Sequence, residues 1–126
     1  MGAEQSIRAR RVAEGIREEL SKLLAFEVKD PRASGAVVTR VEMHADLQSG
    51  RVFIRRLEAA DDDAKRTLVG ALEHASGMLR RELTKRLGLR RAPELKYVYD
   101  DGQDNAARVE QLLAEVQLER ERSRER

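Results

Sequence analysis

The chain predicts an α+β fold in which a three-stranded sheet is covered by helices on one face. An amphipathic helical stripe opens it, two stretches rich in β-branched residues follow around a turn, and a longer helical stripe separates these from a third strand-like stretch. The order is therefore helix, strand, strand, kinked helix, strand, then a C-terminal extension. With 126 residues there is room for one two-layer core and not for two. An apolar fraction of 40% sustains that core, and an aromatic share of 3% means that Leu, Val, Ile and Ala must build it.

From Ser6 to Phe26, Val12, Ile16, Leu20, Leu23 and Leu24 recur at helical spacing, with Ser6 as the expected N-cap. Arg8, Arg10, Arg11 and Arg17 share the other side with several glutamates. Asp30-Pro31-Arg32 ends the helix, because proline lacks an amide donor and disfavours helical geometry in the residue before it. Residues 36–43 read as a strand whose buried face is expected to carry Val37, Thr39, Val41 and Met43. Asp46 to Gly50 supplies a turn and residues 51–57 the hairpin partner. Arg56 breaks the alternation set by Val52 and Ile54, so either the strand twists off the core there or Arg56 reaches out at its end.

Asp61, Asp62 and Asp63 favour a helix start, and Ala64, Leu68, Leu72, Ala75, Leu79, Leu83 and Leu87 carry the apolar row to Leu87. A straight rod of that length would run about 37 Å and overhang a small core. A bend is expected within Ala75-Ser76-Gly77, at Gly77, where the backbone is most permissive. Gly88 ends the helix, residues 94–99 form a third strand with Tyr97 and Tyr99 on its core side, and 100–104 turn the chain. Asp104 or Asn105 is the expected cap of a final helix containing Ala106, Val109, Leu112, Leu113 and Val116. Beyond Glu119 the Arg and Glu residues have nothing to bury, and frayed helix or disorder is expected. The chain thus divides into a flexible start at 1–5, a domain at 6–102 and a helix with charged tail at 103–126.

Net charge is only +2, yet residues 80–96 carry seven basic side chains against Glu82 and Glu94. Such local asymmetry points to a polyanionic partner, with RNA the obvious candidate. Absence of cysteine excludes disulfides and thiolate chemistry. The aspartate runs read as caps and turns and the two histidines are isolated, so no metal, cofactor, small-molecule substrate or catalytic residue is expected. No apolar run is long enough for a membrane span, and a cytoplasmic location is the default.

Ordered segments from Ile7 to Leu113 resemble the bacterial ribosome-binding factor A family. They include Arg11-Val12-Ala13-Glu14, Val28-Lys29-Asp30-Pro31-Arg32, Asp46-Leu47, Arg51-Val52-Phe53-Ile54, Ala75-Ser76-Gly77, Lys85-Arg86-Leu87 and Arg90-Arg91-Ala92-Pro93-Glu94-Leu95. The resemblance implies a KH-like fold of type II, with Ala75-Ser76-Gly77 as a kink in place of the usual glycine-rich loop. It implies a monomer that binds the small (30S) ribosomal subunit and its 16S rRNA in late maturation, assists 5′-end processing without catalysing it, and matters most in the cold. Arg56 departs from the pattern, standing where an apolar residue usually ends the strand, and so puts the packing of that edge in question.

The expected RNA contacts are Arg80, Arg81, Lys85, Arg86, Arg90 and Arg91, followed by Arg8, Arg10, Arg11 and Arg17 on the first helix. Arg17 and its neighbours have Glu14, Glu18 and Glu19 as competing partners. The rival expectation is an adaptor that docks on proteins through its charged helices.

Overall fold

The structure, a computed structural model, describes the backbone of residues 3–125 and the side chains of 7–102 and 110–124. Its elements are α1 (Ala3–Phe26), a 3-10 turn (Pro31–Ala33), β1 (Ala36–Met43), β2 (Ser49–Arg56), α2 (Asp62–His74), α3 (Ser76–Leu87), β3 (Glu94–Tyr99) and α4 (Gly102–Glu125). The sheet order is β1-β2-β3, with β1 antiparallel and β3 parallel to the central β2. A parallel neighbour requires a crossover, and the α2–α3 pair provides it.

One face of the sheet is covered by the helices, and the core lies between. Ile16, Leu20 and Leu23 of α1 meet Val38, Val52, Ile54 and Tyr97 of the sheet, together with Leu68 and Leu72 of α2 and Leu79 and Leu83 of α3. The stripe spacing explains why these residues form helices, since each helix presents one apolar side to this layer. α1 and α3 approach closely at Gly15, where an added Cβ would lie 3.1 Å from Leu87 Cδ2.

The buried face of β1 differs from the expected alternation. The pairing steps from Val38↔Ile54 to Arg40↔Phe53, leaving Thr39 as a bulge. The extra residue shifts the phase, so Val38 is core and Thr39 is exposed, whereas Val41 and Met43 regain the inner side. Thr39 instead donates its hydroxyl proton to the Asp100 carboxylate, and this bond chiefly holds that carboxyl below its usual range.

The loop after α1 is fixed by two charged residues. Asp30 binds the Arg32 guanidinium at 2.7 Å and also accepts the Arg32 backbone N–H at 2.9 Å, and these bonds, the first above all, lower its pKa to about 2. Arg56 resolves the ambiguity at the end of β2 by reaching back to donate to the carbonyls of Arg32 (3.0 Å) and Ser34 (3.3 Å). Its own backbone N–H donates to the Tyr99 hydroxyl at 3.1 Å, so a polar anchor closes the edge that an apolar residue would otherwise fill.

Three further expectations change. The helical bend lies at Ala75, which ends α2 and precedes α3 with φ −85° and ψ 0°, while Gly77 is already inside α3. Ala75 N–H still donates to Ala71 and its carbonyl still accepts from Leu79, so the two helices are joined by a kink without a loop. α1 begins at Ala3, which puts Ser6 inside the helix rather than at its cap. α4 starts at Gly102 and stays helical to Glu125, because Glu, Arg, Leu and Gln are good helix formers even without a core to cover. Asp104 and Asn105, the expected caps of this helix, therefore fall inside its first turns, because it starts at Gly102.

Candidate nucleic-acid interface

The basic residues that are adjacent in sequence separate into different surroundings. Arg80 points across to the α3–β3 loop, where its Nε donates to Pro93 O at 3.0 Å and its Nη2 to Ala92 O at 3.1 Å. Arg86 lies among three glutamates, with Glu27 at 2.7 Å, Glu19 at 3.6 Å and Glu82 at 3.6 Å. Partial burial works against its charge, but Glu27, Glu82 and Glu19 more than offset this and raise its pKa. Arg17 is paired with Glu14, whose carboxyl is lowered mainly by that hydrogen bond.

Arg81, Lys85, Arg90 and Arg91 are exposed and make no ion pair with the described residues. The same holds for Arg8, Arg10 and Arg11 on α1. Three segments distant in sequence converge. Arg8 and Val12 from α1, Asp46, Leu47 and Gln48 from the β1–β2 turn, and Gly88 to Arg91 after α3 line one open cleft of about 530 Å³. Three arginines thus border a groove whose apolar lining comes from Val12, Leu47 and Leu89.

Local structure explains how the cleft is built. Gly88 adopts φ 63° and ψ 35°, the left-handed geometry that suits glycine, and the Leu89 N–H returns to Thr84 O at 3.0 Å. This turns the chain off α3 just before Arg90. On the facing side Leu47 holds a positive φ of 60° while its N–H donates to His44 O, and Gln48 N–H donates to the Asp46 carboxylate. The two sides are tied by Glu94 N–H donating to Gln48 O at 2.8 Å. The next turn of strand is close-packed: a Cβ on Gly50 would meet the Glu42 carbonyl at 2.6 Å and the Met43 sulfur.

The cleft brings Arg8, Arg90 and Arg91 together, but not Arg80 or Arg86, whose donors face protein acceptors. Arg10, Arg11, Arg81 and Lys85 are exposed outside its lining. The turn residues Leu47 and Gln48 were missed as site residues, because nothing in a short polar turn indicates that it will face an arginine pair from the other half of the chain. Ala75, Ser76 and Gly77 do not line the cleft either.

Among guanidinium groups, an exposed pair on a loop that faces a third across a groove suits phosphate oxygens, which accept planar bidentate bonds. Among the described residues no helix is long and apolar enough to cross a membrane.

Comparison with known proteins agrees with this architecture. A ribosome-binding factor A from Sorangium cellulosum is 48% identical over 110 residues, covering 86% of this chain and 88% of the relative. One from Syntrophobacter fumaroxidans is 39% identical over 109 residues, covering 86% and 93%. The crystal structure of ribosome-binding factor A from Thermus thermophilus superposes with a TM-score of 0.52 at 23% identity, covering 75% of this chain and 94% of that one, and supports the fold. A homology model of the Thermus thermophilus factor, fitted into a cryo-EM map of its complex with the 30S subunit, gives a TM-score of 0.50 at 26% identity and covers 68% and 92%. Residues 8–113 match the ribosome-binding factor A description, and the chain belongs to that family.

Proposed function

We propose that this protein binds the small ribosomal subunit through its 16S rRNA, as a cytoplasmic monomer acting late in subunit maturation. The observation that carries the reading is the cleft in which Arg8 meets Arg90 and Arg91. Exposed Arg81, Lys85, Arg10 and Arg11 extend the contact surface around it. Family membership supports the partner, since a relative is fitted in a complex with the 30S subunit. The protein acts by binding: it holds RNA in one arrangement, and its effect on 5′-end processing is exerted through the substrate presented to a separate nuclease. The adaptor reading has one feature in its favour, the exposed Leu112, Leu113 and Val116 on α4.

Co-sedimentation with purified small and large subunits over a potassium chloride series tests the proposal. Selective binding to small subunits that weakens with salt is expected, and Arg90→Ala with Arg91→Ala should reduce the log-log salt slope by between about one and two units. Equal binding to both subunits, or an unchanged slope in the double variant, refutes the cleft as the contact site. Replacing Leu112, Leu113 and Val116 with serine should leave the salt slope intact, whereas loss of binding there favours the adaptor.

A further inference from the structure

We propose that Arg80 is a positioning residue for the RNA-binding cleft, fixing the loop that carries Arg90 and Arg91 without contacting RNA itself. The inference rests on the RNA-binding reading above and assigns one of its basic residues a different task. The loop at 88–93 is held at its start by the Leu89 N–H bond to Thr84 O. At its end two groups act together. Glu94 N–H ties the chain to Gln48 O, and the Arg80 guanidinium binds the successive carbonyls of Ala92 and Pro93. Arg90 and Arg91 lie between these ties and have none of their own among the described residues.

The geometry suits arginine specifically. Its planar fork reaches two neighbouring carbonyls at 3.0 and 3.1 Å at once, whereas a lysine ammonium offers a point charge on a freely rotating stem. The Pro93 side chain is fully buried, so its carbonyl sits at the edge of the core and needs a donor from the protein. Thr84 strengthens the same corner, because its hydroxyl donates to the Arg80 carbonyl at 2.7 Å. Arg80 thus joins α3 to the loop by its side chain while the backbone around it is braced by the residue that accepts the loop's first bond.

A residue that contacts phosphate and one that positions other contacts behave differently in a mutant cycle. Arg80→Lys and Arg80→Gln are each measured for small-subunit binding in the wild-type background and in Arg90→Ala/Arg91→Ala. In the wild-type background each should weaken binding roughly tenfold, the loss of about one charge-assisted contact. In the double-alanine background neither should weaken it further, since the residues being positioned are gone. Additive losses, or wild-type affinity for Arg80→Lys, would show direct phosphate contact or no role and overturn the inference.

Hydrogen exchange on the full chain provides a separate readout. Arg80→Lys should speed amide exchange at Leu89 and Glu94, the hydrogen-bonded amides at the two ends of the loop, while the α1 and β2 amides keep their protection, and unchanged exchange at both overturns the inference. If wild-type protein does not bind small subunits, the proposed function fails, yet the exchange result still decides whether Arg80 holds the loop. Should Arg80→Gln fail to fold, the lysine variant alone decides both arms.

Discussion

Arg80 and Arg86 lie on α3, Arg90 and Arg91 in the loop that follows, and their surroundings are opposite. The first pair is bonded to protein, Arg80 to two carbonyls and Arg86 to three carboxylates. The second is exposed and borders a cleft with Arg8. A charge run in sequence therefore mixes two populations, and the fold sorts them by which acceptors come within reach. Arg80 and Arg86 serve the attachment of α3 to the loop before β3 and to α1, whereas Arg81 on the same helix stays exposed. The arginines beyond it are left for a partner.

The largest effect on this contrast should come from Gly50, in the strand turn beside the cleft. A methyl group there would press on the Glu42 carbonyl of the paired strand, at 2.6 Å, and backbone cannot swing aside as a side chain does. Gly50→Ala should cost about 3 kcal/mol in denaturant unfolding and also weaken subunit binding, because the turn at 46–48 forms one wall of the cleft. An unchanged unfolding midpoint would show that the turn yields freely, and the cleft would then not be a preformed site.

Next comes the interior end of the Arg80 corner. The Tyr97 hydroxyl is buried without a hydrogen-bond partner among the described residues, and burial pushes its pKa up to about 12 despite the nearby positive charge of Arg80. The neutral form is thus favoured by folding. Stability from this source is complete below pH ~10, where the unfolded tyrosine begins to ionise, and is lost as pH rises towards the folded value, by on the order of 2 kcal/mol. Tyr97→Phe should remove that alkaline loss and leave neutral-pH stability equal or higher, as read by thermal melts across pH. Retention of the alkaline transition in the phenylalanine variant would place its origin elsewhere.

Arg86 tests the other bonded arginine. Arg86→Ala leaves Glu19, Glu27 and Glu82 facing one another and should lower the unfolding midpoint slightly, less at high salt, with no change in subunit binding. A variant of normal stability that binds weakly would move Arg86 into the contact population and erase the distinction between the two pairs.

Much of this contrast could not be read from the sequence. Helix α1, the three strands and the helical pair were legible because apolar spacing is a local property, and Val12, Ile16 and Leu20 announce their face within a few residues. The bulge at Thr39 was hidden, since an alternating run looks the same until the partner strand sets its register. Arg86 finds Glu27 just past the end of α1, and Arg8 lines the same cleft as Arg90 from the other end of the chain, so no window of sequence shows either relation. Arg56 announced a conflict without revealing its resolution, which required the carbonyls of the turn after α1.

The smallest predicted effect separates the helix kink from the contact surface. Gly77 was expected to supply the bend, but the break falls at Ala75 and Gly77 lies in the first turn of α3. A Cβ there would touch only Arg81 Nη1 at 3.6 Å, an ordinary contact with a mobile side chain. Gly77→Ala should therefore stabilise the protein by about 0.5–1 kcal/mol through helix propensity and reduced freedom of the unfolded chain. Subunit binding should be unchanged, because the bend at Ala75 and the ties around Arg90 and Arg91 remain. A stabilised variant that binds poorly would mean that RNA backbone comes close to the bare face of Gly77, and the contact surface would then reach from the loop back along α3 to the kink.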